Sequence, residues 1–335
     1  MLAFFKLIRL PNLLIMAFTM CMVRYFLVRP ILDLQNCAAE RDMYHSQVSP
    51  LYFYLLVLAV VLIGAAGYII NDYFDVRIDK LNRPDTNVID RGIKRRWAIM
   101  LHTVFNVTGV LLGIFISWKS QLLTLGLMLF IGAPTLLWFY STDFKTRMLI
   151  GNVVIALLSG MVPLLVALFE VRALNMYYGQ DVADISPQIA VMSSYFALFA
   201  FLISLMREII KDTEDYEGDR TYGCRTLPIV AGIARAKWVV AIICFVMIAL
   251  IGFFEYRIFA SSEEPQFISW AWKTFAWFML LVQVPLLFLS WKIGKATGKK
   301  DYRFASLLTK IIMLGGISYL FLFSYILHEW CSLIN

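Results

Sequence analysis

Residues 51–79 read LYFYLLVLAVVLIGAAGYIINDYFDVRID, an uncharged block followed at once by three aspartates. The block 51–70 has the length that an α-helix needs to cross about 30 Å of hydrocarbon. Asp72, Asp75 and Asp79 follow at positions i, i+3 and i+7, so on a helix they share one face. The stretch predicts a membrane-spanning helix that ends in three carboxylates.

The rest of the chain repeats this apolar pattern. Of its 335 residues, 61% are hydrophobic and 16% are charged, and the mean hydropathy is +0.74. These values exclude an ordinary secreted or cytosolic enzyme. They predict a single all-α integral membrane domain, residues 1–335, with nine helices. Because polar motifs stand at the ends of apolar helices, the helices are expected to surround an apolar cavity whose polar mouth opens to the cytoplasm. The nine apolar blocks are residues 11–29, 51–71, 97–117, 121–140, 149–169, 191–210, 238–256, 272–291 and 304–327.

The placement of Lys and Arg predicts the orientation. With the N-terminus inside, 22 of the 30 basic residues fall in cytoplasmic segments, seven fall outside and Lys310 lies within the last helix. Because positively charged loops stay in the cytoplasm, we expect a cell (inner or plasma) membrane protein with its N-terminus in and its C-terminus out. The basic residues form no face or tail, so the net charge of +7 predicts no nucleic-acid partner.

A second acidic cluster ends the sixth predicted helix. Residues 211–219 read KDTEDYEGD and repeat the same spacing at Asp212, Asp215 and Asp219. On a continuous helix these carboxylates again share one face. The second and sixth helices both run from outside to inside, so the two clusters are expected to meet at the cytoplasmic side of one cavity.

Two facing carboxylate clusters need cations. Carboxylates about 5 Å apart repel by roughly 3 kcal/mol at an effective dielectric near 20, so six of them in one pocket would be unfavourable or protonated without cations. Hard oxygen ligands indicate Mg²⁺, which takes one or two carboxylates per ion and fills its other positions with water and substrate phosphate. We therefore expect a Mg²⁺ cofactor and a phosphorylated substrate.

Basic residues near the acids suit a diphosphate. Arg207 and Lys211 precede the second cluster, and Lys145 and Arg147 follow the fourth helix close to Tyr140. Each basic residue taken singly could instead bind lipid headgroups. The rest of the second and sixth helices is mostly apolar, so the cavity between them is expected to hold a hydrocarbon chain.

Two further features receive a structural interpretation. The five cysteines are scattered and odd in number, so they predict no disulfide framework and are treated as small hydrophobic residues. Lys310 is an intramembrane charge and by default a functional candidate. Its predicted place is one turn into the ninth helix, and snorkelling to the cytoplasmic surface is the preferred interpretation.

Three motifs resemble the UbiA superfamily of intramembrane prenyltransferases. Residues 71–79 match its first aspartate-rich motif, N-D-x-x-D-x-x-x-D, and are followed by Asn82-Arg83-Pro84. Residues 207–219, REIIKDTEDYEGD, match the second motif, and residues 223–228, GCRTLP, continue in the family's style. The third match is Tyr140-Ser-x-x-x-Lys145. With nine helices, the resemblance covers nearly the whole chain.

The resemblance implies a metal site that joins both acidic motifs to the diphosphate of an isoprenyl donor. The implied Mg²⁺ ligands are Asn71, Asp75, Asp215 and Asp219. Three further aspartates would support the site as outer ligands or as partners of basic residues, namely Asp72, Asp79 and Asp212.

The resemblance also implies a diphosphate-binding mouth. The family uses a tyrosine and basic side chains there, which correspond to Tyr140, Lys145 and Lys211. A recurring element at the start of the first helix corresponds to Arg9 and Asn12. Together with Arg207, these residues are expected to bind the diphosphate.

Within the superfamily, KDTEDYEGD most resembles the geranylgeranylglyceryl phosphate geranylgeranyltransferases, which make the second ether bond of archaeal-type lipids. The implied reaction is Mg²⁺-dependent transfer of a polyprenyl group, with geranylgeranyl as the expected chain, from its diphosphate to geranylgeranylglyceryl phosphate. It would proceed through an allylic carbocation and release diphosphate. One departure is that residues 85–88, DTNV, stand where many members have RPIP, so loop contacts to the substrate could differ.

Two other functions stay open. Prenylation of an aromatic acceptor in quinone biosynthesis, 4-hydroxybenzoate or a naphthoate, would use the same fold and mechanism. A cation-coupled transporter would also place acids in membrane helices, but such sites usually lie near the bilayer midplane. Both clusters here lie at one face, which disfavours a transporter. The motifs do not encode the acceptor, the donor chain length or the oligomeric state.

Overall fold

The computed structural model describes residues 2–39, 43–82, 88–90, 92–261 and 264–334, and for residues 2, 77 and 79–82 the backbone alone. Nine helices within these residues are long and apolar enough to cross a membrane, which confirms the predicted all-α fold. They are α1 (Leu10–Ala38), α2 (Pro50–Asn82), α3 (Arg95–Lys119), α4 (Leu123–Thr142), α5 (Ile150–Tyr178), α6 (Ile185–Glu214), α7 (Ile233–Ala260), α8 (Pro265–Lys295) and α9 (Lys299–Ile334). Short helices are Leu2–Leu7, Tyr216–Thr221 and Leu227–Val230.

The first helix is longer than its apolar block because its charges are neutralised. Arg24 is buried, and its guanidinium lies 3.1 Å from the Glu170 carboxylate of α5 and 4.5 Å from the centroid of the Phe53 ring. Arg29 is exposed and pairs with Asp33 at 3.8 Å. A buried cation without a partner would cost several kcal/mol. Because Arg24 has one, α1 continues through both arginines to Ala38.

Small residues allow neighbouring helices to approach closely. A Cβ atom at Gly109 of α3 would lie 3.0 Å from the carbonyl oxygen of Ala59 in α2. At Gly160 of α5, the same atom would lie 2.9 Å from the carbonyl oxygen of Ala197 in α6. Any side chain at these positions would push the helices apart, so glycine sets the spacing of both pairs.

Residues of α1, α2, α4, α5, α6 and α9 line a cavity of about 490 Å³. α2 packs against α3 and α4, α5 runs along α6, and α9 packs on α6 and α1. The middle of the cavity is apolar, with side chains such as Ile63, Leu129 and Leu165. Polar side chains concentrate where α2, α4 and α6 end and α1 begins.

The expectation that every cysteine is an unpaired small residue is wrong for two of them. Cys37 near the end of α1 and Cys331 near the end of α9 form a disulfide, with their Cα atoms 5.6 Å apart. The pair is 294 residues apart in sequence, and the packing of α9 on α1 brings it together. Cys21, Cys224 and Cys244 are free thiols. The disulfide lies at the end of the bundle opposite the acidic motifs.

Candidate active site

The end of α2 carries the first acidic motif. Asn71 lines the cavity, and its Oδ1 atom is buried without a hydrogen bond from the described residues. Asp72 and Asp75 follow in the same helix with side chains 19% and 16% exposed. Asp79 also belongs to α2, but its side chain lies outside the described residues, as do residues 83–87 of the sequence motif.

Arg9 stands at the start of α1 and holds the first motif. Its guanidinium donates to Asp72 Oδ1 at 2.7 Å and lies 5.0 Å from the centroid of the Tyr68 ring. Burial lowers the pKa of Arg9, but Asp72, Tyr68 and Glu208 together more than offset this, and the pKa lies above its ordinary value. Asn12 donates to the Tyr68 hydroxyl at 3.2 Å. Arg9 has a φ of 50°, a conformation that costs a non-glycine residue about 1–2 kcal/mol, so these contacts hold it there.

The second acidic motif does not lie on one continuous helix, contrary to the sequence prediction. Asp212 lies in the last turn of α6, whereas Asp219 belongs to the short helix Tyr216–Thr221. Asp215 is the junction between the two helices. Five carboxylates within residues 212–219 repel one another, and aspartate is a weak helix former, which accounts for the break.

The loop between α4 and α5 brings a lysine to the first motif. Lys145 Nζ is ion-paired with Asp75, and both side chains are 16% exposed. The backbone N–H of Arg225 donates to the carbonyl oxygen of Thr146 at 2.7 Å, which attaches this loop to the segment after the second motif. Arg147 points away, where it is exposed and pairs with Asp143 at 2.8 Å.

Two side chains lie close to both motifs. Tyr140 lines the cavity, and its phenol interacts electrostatically with Asp75 from the first motif and Asp212 from the second. Burial raises the pKa of the Cys224 thiol to about 11, with further contributions from Asp219 and Asp212 of the second motif and from Asp75 of the first. The two motifs therefore lie close together beside the polar end of the cavity.

A buried charge cluster lies one turn deeper on α6. The Glu208 carboxylate accepts hydrogen bonds from Lys211 Nζ at 2.8 and 3.2 Å and from Arg207 Nη1 at 3.0 Å. All three side chains line the cavity and are between 9% and 18% exposed. Glu208 thus partly neutralises Arg207 and Lys211, the two cations that were expected from the sequence to bind a diphosphate.

Lys310 also lies on the cavity wall, beside Met313. α9 begins at Lys299, before the predicted apolar block, so Lys310 is three turns from the start of the helix, about 16 Å along its axis. The polar segment that precedes the apolar block is itself helical. Snorkelling of Lys310 to the cytoplasmic surface stays a prediction.

Three residues that sequence reasoning did not assign support the site. Glu208 holds Arg207 and Lys211, Tyr68 contacts both Arg9 and Asn12, and Asn152 donates to Asp212 Oδ2 at 2.8 Å. Asn152 is buried and directly precedes the apolar run 153–158 of α5, and a polar side chain beside such a run is a signal that can be read from the sequence.

The described residues fit a metal that binds together with its substrate. No group of three His, Cys, Asp or Glu side chains among them is close enough to hold an ion alone. Mg²⁺ takes one or two carboxylates and completes its shell with water and phosphate oxygens. The unsatisfied Oδ1 of Asn71, one turn from Asp75, offers an all-oxygen donor set of this kind.

Comparisons with known proteins agree with this architecture. The UbiA prenyltransferase family model matches residues 43–314. The digeranylgeranylglyceryl phosphate synthase of Pyrococcus horikoshii is 34% identical over 202 residues, which are 60% of this chain and 65% of that protein, so the chain covers just under two thirds of this relative.

Two solved structures share the fold. One, from work on digeranylgeranylglyceryl phosphate synthase in membranes, is 21% identical and aligns over 98% of both chains with a TM-score of 0.57. The other, a UbiA homolog from Archaeoglobus fulgidus bound to DMAPP and Mg²⁺, is 15% identical and covers 95% of this chain and 98% of that chain with a TM-score of 0.52.

Proposed function

Because the chain belongs to the UbiA prenyltransferase family, we propose that it transfers a polyprenyl group, geranylgeranyl as the expected chain, from its diphosphate to geranylgeranylglyceryl phosphate. The observation that carries this proposal is that two acidic motifs lie close together beside the polar end of an apolar cavity, an end that Asn71, Tyr140 and Lys211 line. The acidic end suits a metal-bound diphosphate, and the apolar remainder suits its hydrocarbon chain. The name of the Pyrococcus relative supports the acceptor.

We assign the Mg²⁺ ligands to Asn71 and Asp75 in the first motif and to Asp215 and Asp219 in the second. When bound, the metal would neutralise the charge that develops on the leaving diphosphate. Asp72 is already engaged by Arg9, and Asp212 by Asn152, which suits both to a supporting role. Asp79 takes the same supporting role in this proposal.

The side chains at the mouth bind and orient the diphosphate. Lys145 and Lys211 supply mobile ammonium groups, Tyr140 supplies a hydroxyl, and Arg9 and Asn12 complete the cradle. The allylic C–O bond breaks with its electron pair going to the diphosphate, and the acceptor hydroxyl oxygen forms the new C–O bond and gives up its proton to the released diphosphate. The apolar wall excludes water that would otherwise quench the carbocation.

We propose that the acidic end faces the cytoplasm and that the chain forms one integral domain. The excess of basic residues on that side supports the orientation. The Cys37–Cys331 disulfide lies at the other end, and disulfides persist in oxidising compartments outside the cytoplasm. The N-terminus is then cytoplasmic and the C-terminus is outside.

The test is product detection by mass spectrometry. Purified protein receives Mg²⁺, geranylgeranyl diphosphate and two competing acceptors, geranylgeranylglyceryl phosphate and 4-hydroxybenzoate. We expect the diether phosphate, and we expect Asp75→Asn or Asp215→Asn to abolish both product and diphosphate release. Asp33→Asn is the matched control, because Asp33 is exposed at the opposite end of α1. Prenylated 4-hydroxybenzoate as the product would show that the acceptor is aromatic and refute the proposed acceptor. The absence of diphosphate release would refute the enzyme class.

A further inference from the structure

Lys310 is a cation on the cavity wall for which the proposed diphosphate site provides no role. It lines the cavity three turns inside α9, and it makes no hydrogen bond or ion pair with the described residues. An ammonium group in a mostly apolar enclosure is expensive to maintain without a counter-charge. The position therefore indicates that an anion binds beside it.

The charges around Lys310 do not supply that anion. Lys310 interacts electrostatically with Arg207, Arg9 and Glu208. Glu208 is the only carboxylate among the described cavity-lining residues, and it is already shared between Arg207 and Lys211. Arg9 is neutralised by Asp72. The wall around Lys310 is therefore net positive.

Arg207 has a free donor in the same region. Its Nη1 atom binds Glu208, whereas its Nε atom is buried and has no hydrogen-bond partner in the described part of the chain. A buried donor without an acceptor is rare in folded proteins and costs about 1–3 kcal/mol. Lys310 and Arg207 together thus offer unsatisfied donors on facing helices, α9 and α6, which pack against each other.

Arg207 lies deeper in the bundle than the second acidic motif. It precedes Asp212 by five residues and Asp215 by eight, which corresponds to about 7.5 Å and 12 Å along α6. Because Arg207 and Lys211 share Glu208, an anion at Lys310 and Arg207 would lie next to a diphosphate at the mouth, on the side away from the acidic motifs. In the proposed acceptor, the phosphate is a few bonds from the reacting hydroxyl, which must come within about 3.5 Å of the donor carbon. The phosphate of the acceptor and the diphosphate of the donor would then be separated by roughly the 7.5 to 12 Å that separate Arg207 from Asp212 and Asp215 along α6.

Resting on the proposed function, we propose that Lys310 and Arg207 form a second anion subsite that binds the phosphate monoester of the acceptor. The subsite orients the acceptor hydroxyl toward the donor and makes the enzyme select phosphorylated over neutral lipid acceptors. A phosphate dianion on two cationic side chains also compensates the positive wall. Lys310 and Arg207 then act on acceptor recognition, and Lys145 and Lys211 on the donor.

The first experiment compares two acceptors that differ only in the phosphate. Initial rates are measured for the full chain in lipid nanodiscs with geranylgeranylglyceryl phosphate and with geranylgeranylglycerol. For Lys310→Met we expect the KM for the phosphorylated acceptor to rise roughly ten- to one-hundred-fold, with the KM for the donor and the rate with the neutral acceptor unchanged. Lys310→Arg should restore most of the loss. A rise in the donor KM, or equal losses with both acceptors, would overturn the proposal.

The second experiment reads binding without turnover. Binding of each of the two acceptors is measured calorimetrically for wild type, for Lys310→Met and for Lys119→Met. Lys119 serves as the control because it is the last residue of α3 and does not line the cavity. We expect wild type and Lys119→Met to prefer the phosphorylated lipid and Lys310→Met to lose that preference. If this pattern holds while no diether forms, the subsite stands and the proposed function fails. If wild type binds both lipids equally, the subsite is refuted whatever the product.

Discussion

Lys145 and Mg²⁺ would compete for the carboxylate of Asp75, so removing the lysine should strengthen metal binding while it weakens catalysis. The two side chains are ion-paired and each is 16% exposed. Unit charges 4 Å apart attract by about 4 kcal/mol at an effective dielectric of 20. Desolvation offsets part of this and leaves roughly 1.5–3 kcal/mol for a hydrogen bond to a charged group. In Lys145→Met, Mg²⁺ should therefore bind the donor-free protein roughly ten- to one-hundred-fold more tightly.

The assay is a calorimetric Mg²⁺ titration of the full chain in nanodiscs, followed by kcat measurements with donor and acceptor. kcat should fall at least about tenfold, because no ammonium group from this loop then meets the diphosphate. Lys119→Met should change neither quantity, since Lys119 lies over the exposed rings of Phe115 and Trp118. Adding Asp75→Asn to Lys145→Met should remove the gain in affinity. An Mg²⁺ affinity of Lys145→Met equal to or below that of wild type would refute the reasoning.

Three further outcomes follow from the same contacts. Glu208→Gln leaves Arg207 and Lys211 without their shared carboxylate and should lower the free energy of unfolding by about 3 kcal/mol. The assay is the midpoint of thermal unfolding in detergent, and an unchanged midpoint would show that the cluster is hydrated. Asn152→Ala removes the donor to Asp212 and should lower kcat more than it raises the donor KM, and a pure KM effect would contradict a supporting role. Cys37 and Cys331 should react with a membrane-impermeant maleimide from outside only after reduction; labelling from the cytoplasmic side would reverse the proposed orientation.

The membrane helices could be predicted because each depends on local composition. The block 51–70 satisfies its own backbone hydrogen bonds as a helix, which is the stable solution for an isolated segment in lipid. The same local logic placed Asp72 and Asp75 on one face of α2. It failed at the second motif, where mutual repulsion of adjacent carboxylates ends α6 at Glu214.

The contacts between helices could not be predicted in the same way. From the sequence alone, the charge of Arg24 predicts a shorter α1. The structure places Glu170 of α5 beside Arg24, so the helix continues past it. The sequence likewise did not predict that Lys310 lies on the wall of the cavity.

What the sequence alone determined is the number of membrane-spanning helices found in the described residues and the carboxylate-rich chemistry of the two motifs, because hydropathy, charge and spacing act within a segment. Only the tertiary structure decided which side chains meet: Lys145 with Asp75, Glu208 with its two cations, and Cys37 with Cys331. The physical reason is that the rotation of a helix about its axis is set by packing against its neighbours. An almost uniformly apolar segment carries little periodic signal from which that rotation can be deduced.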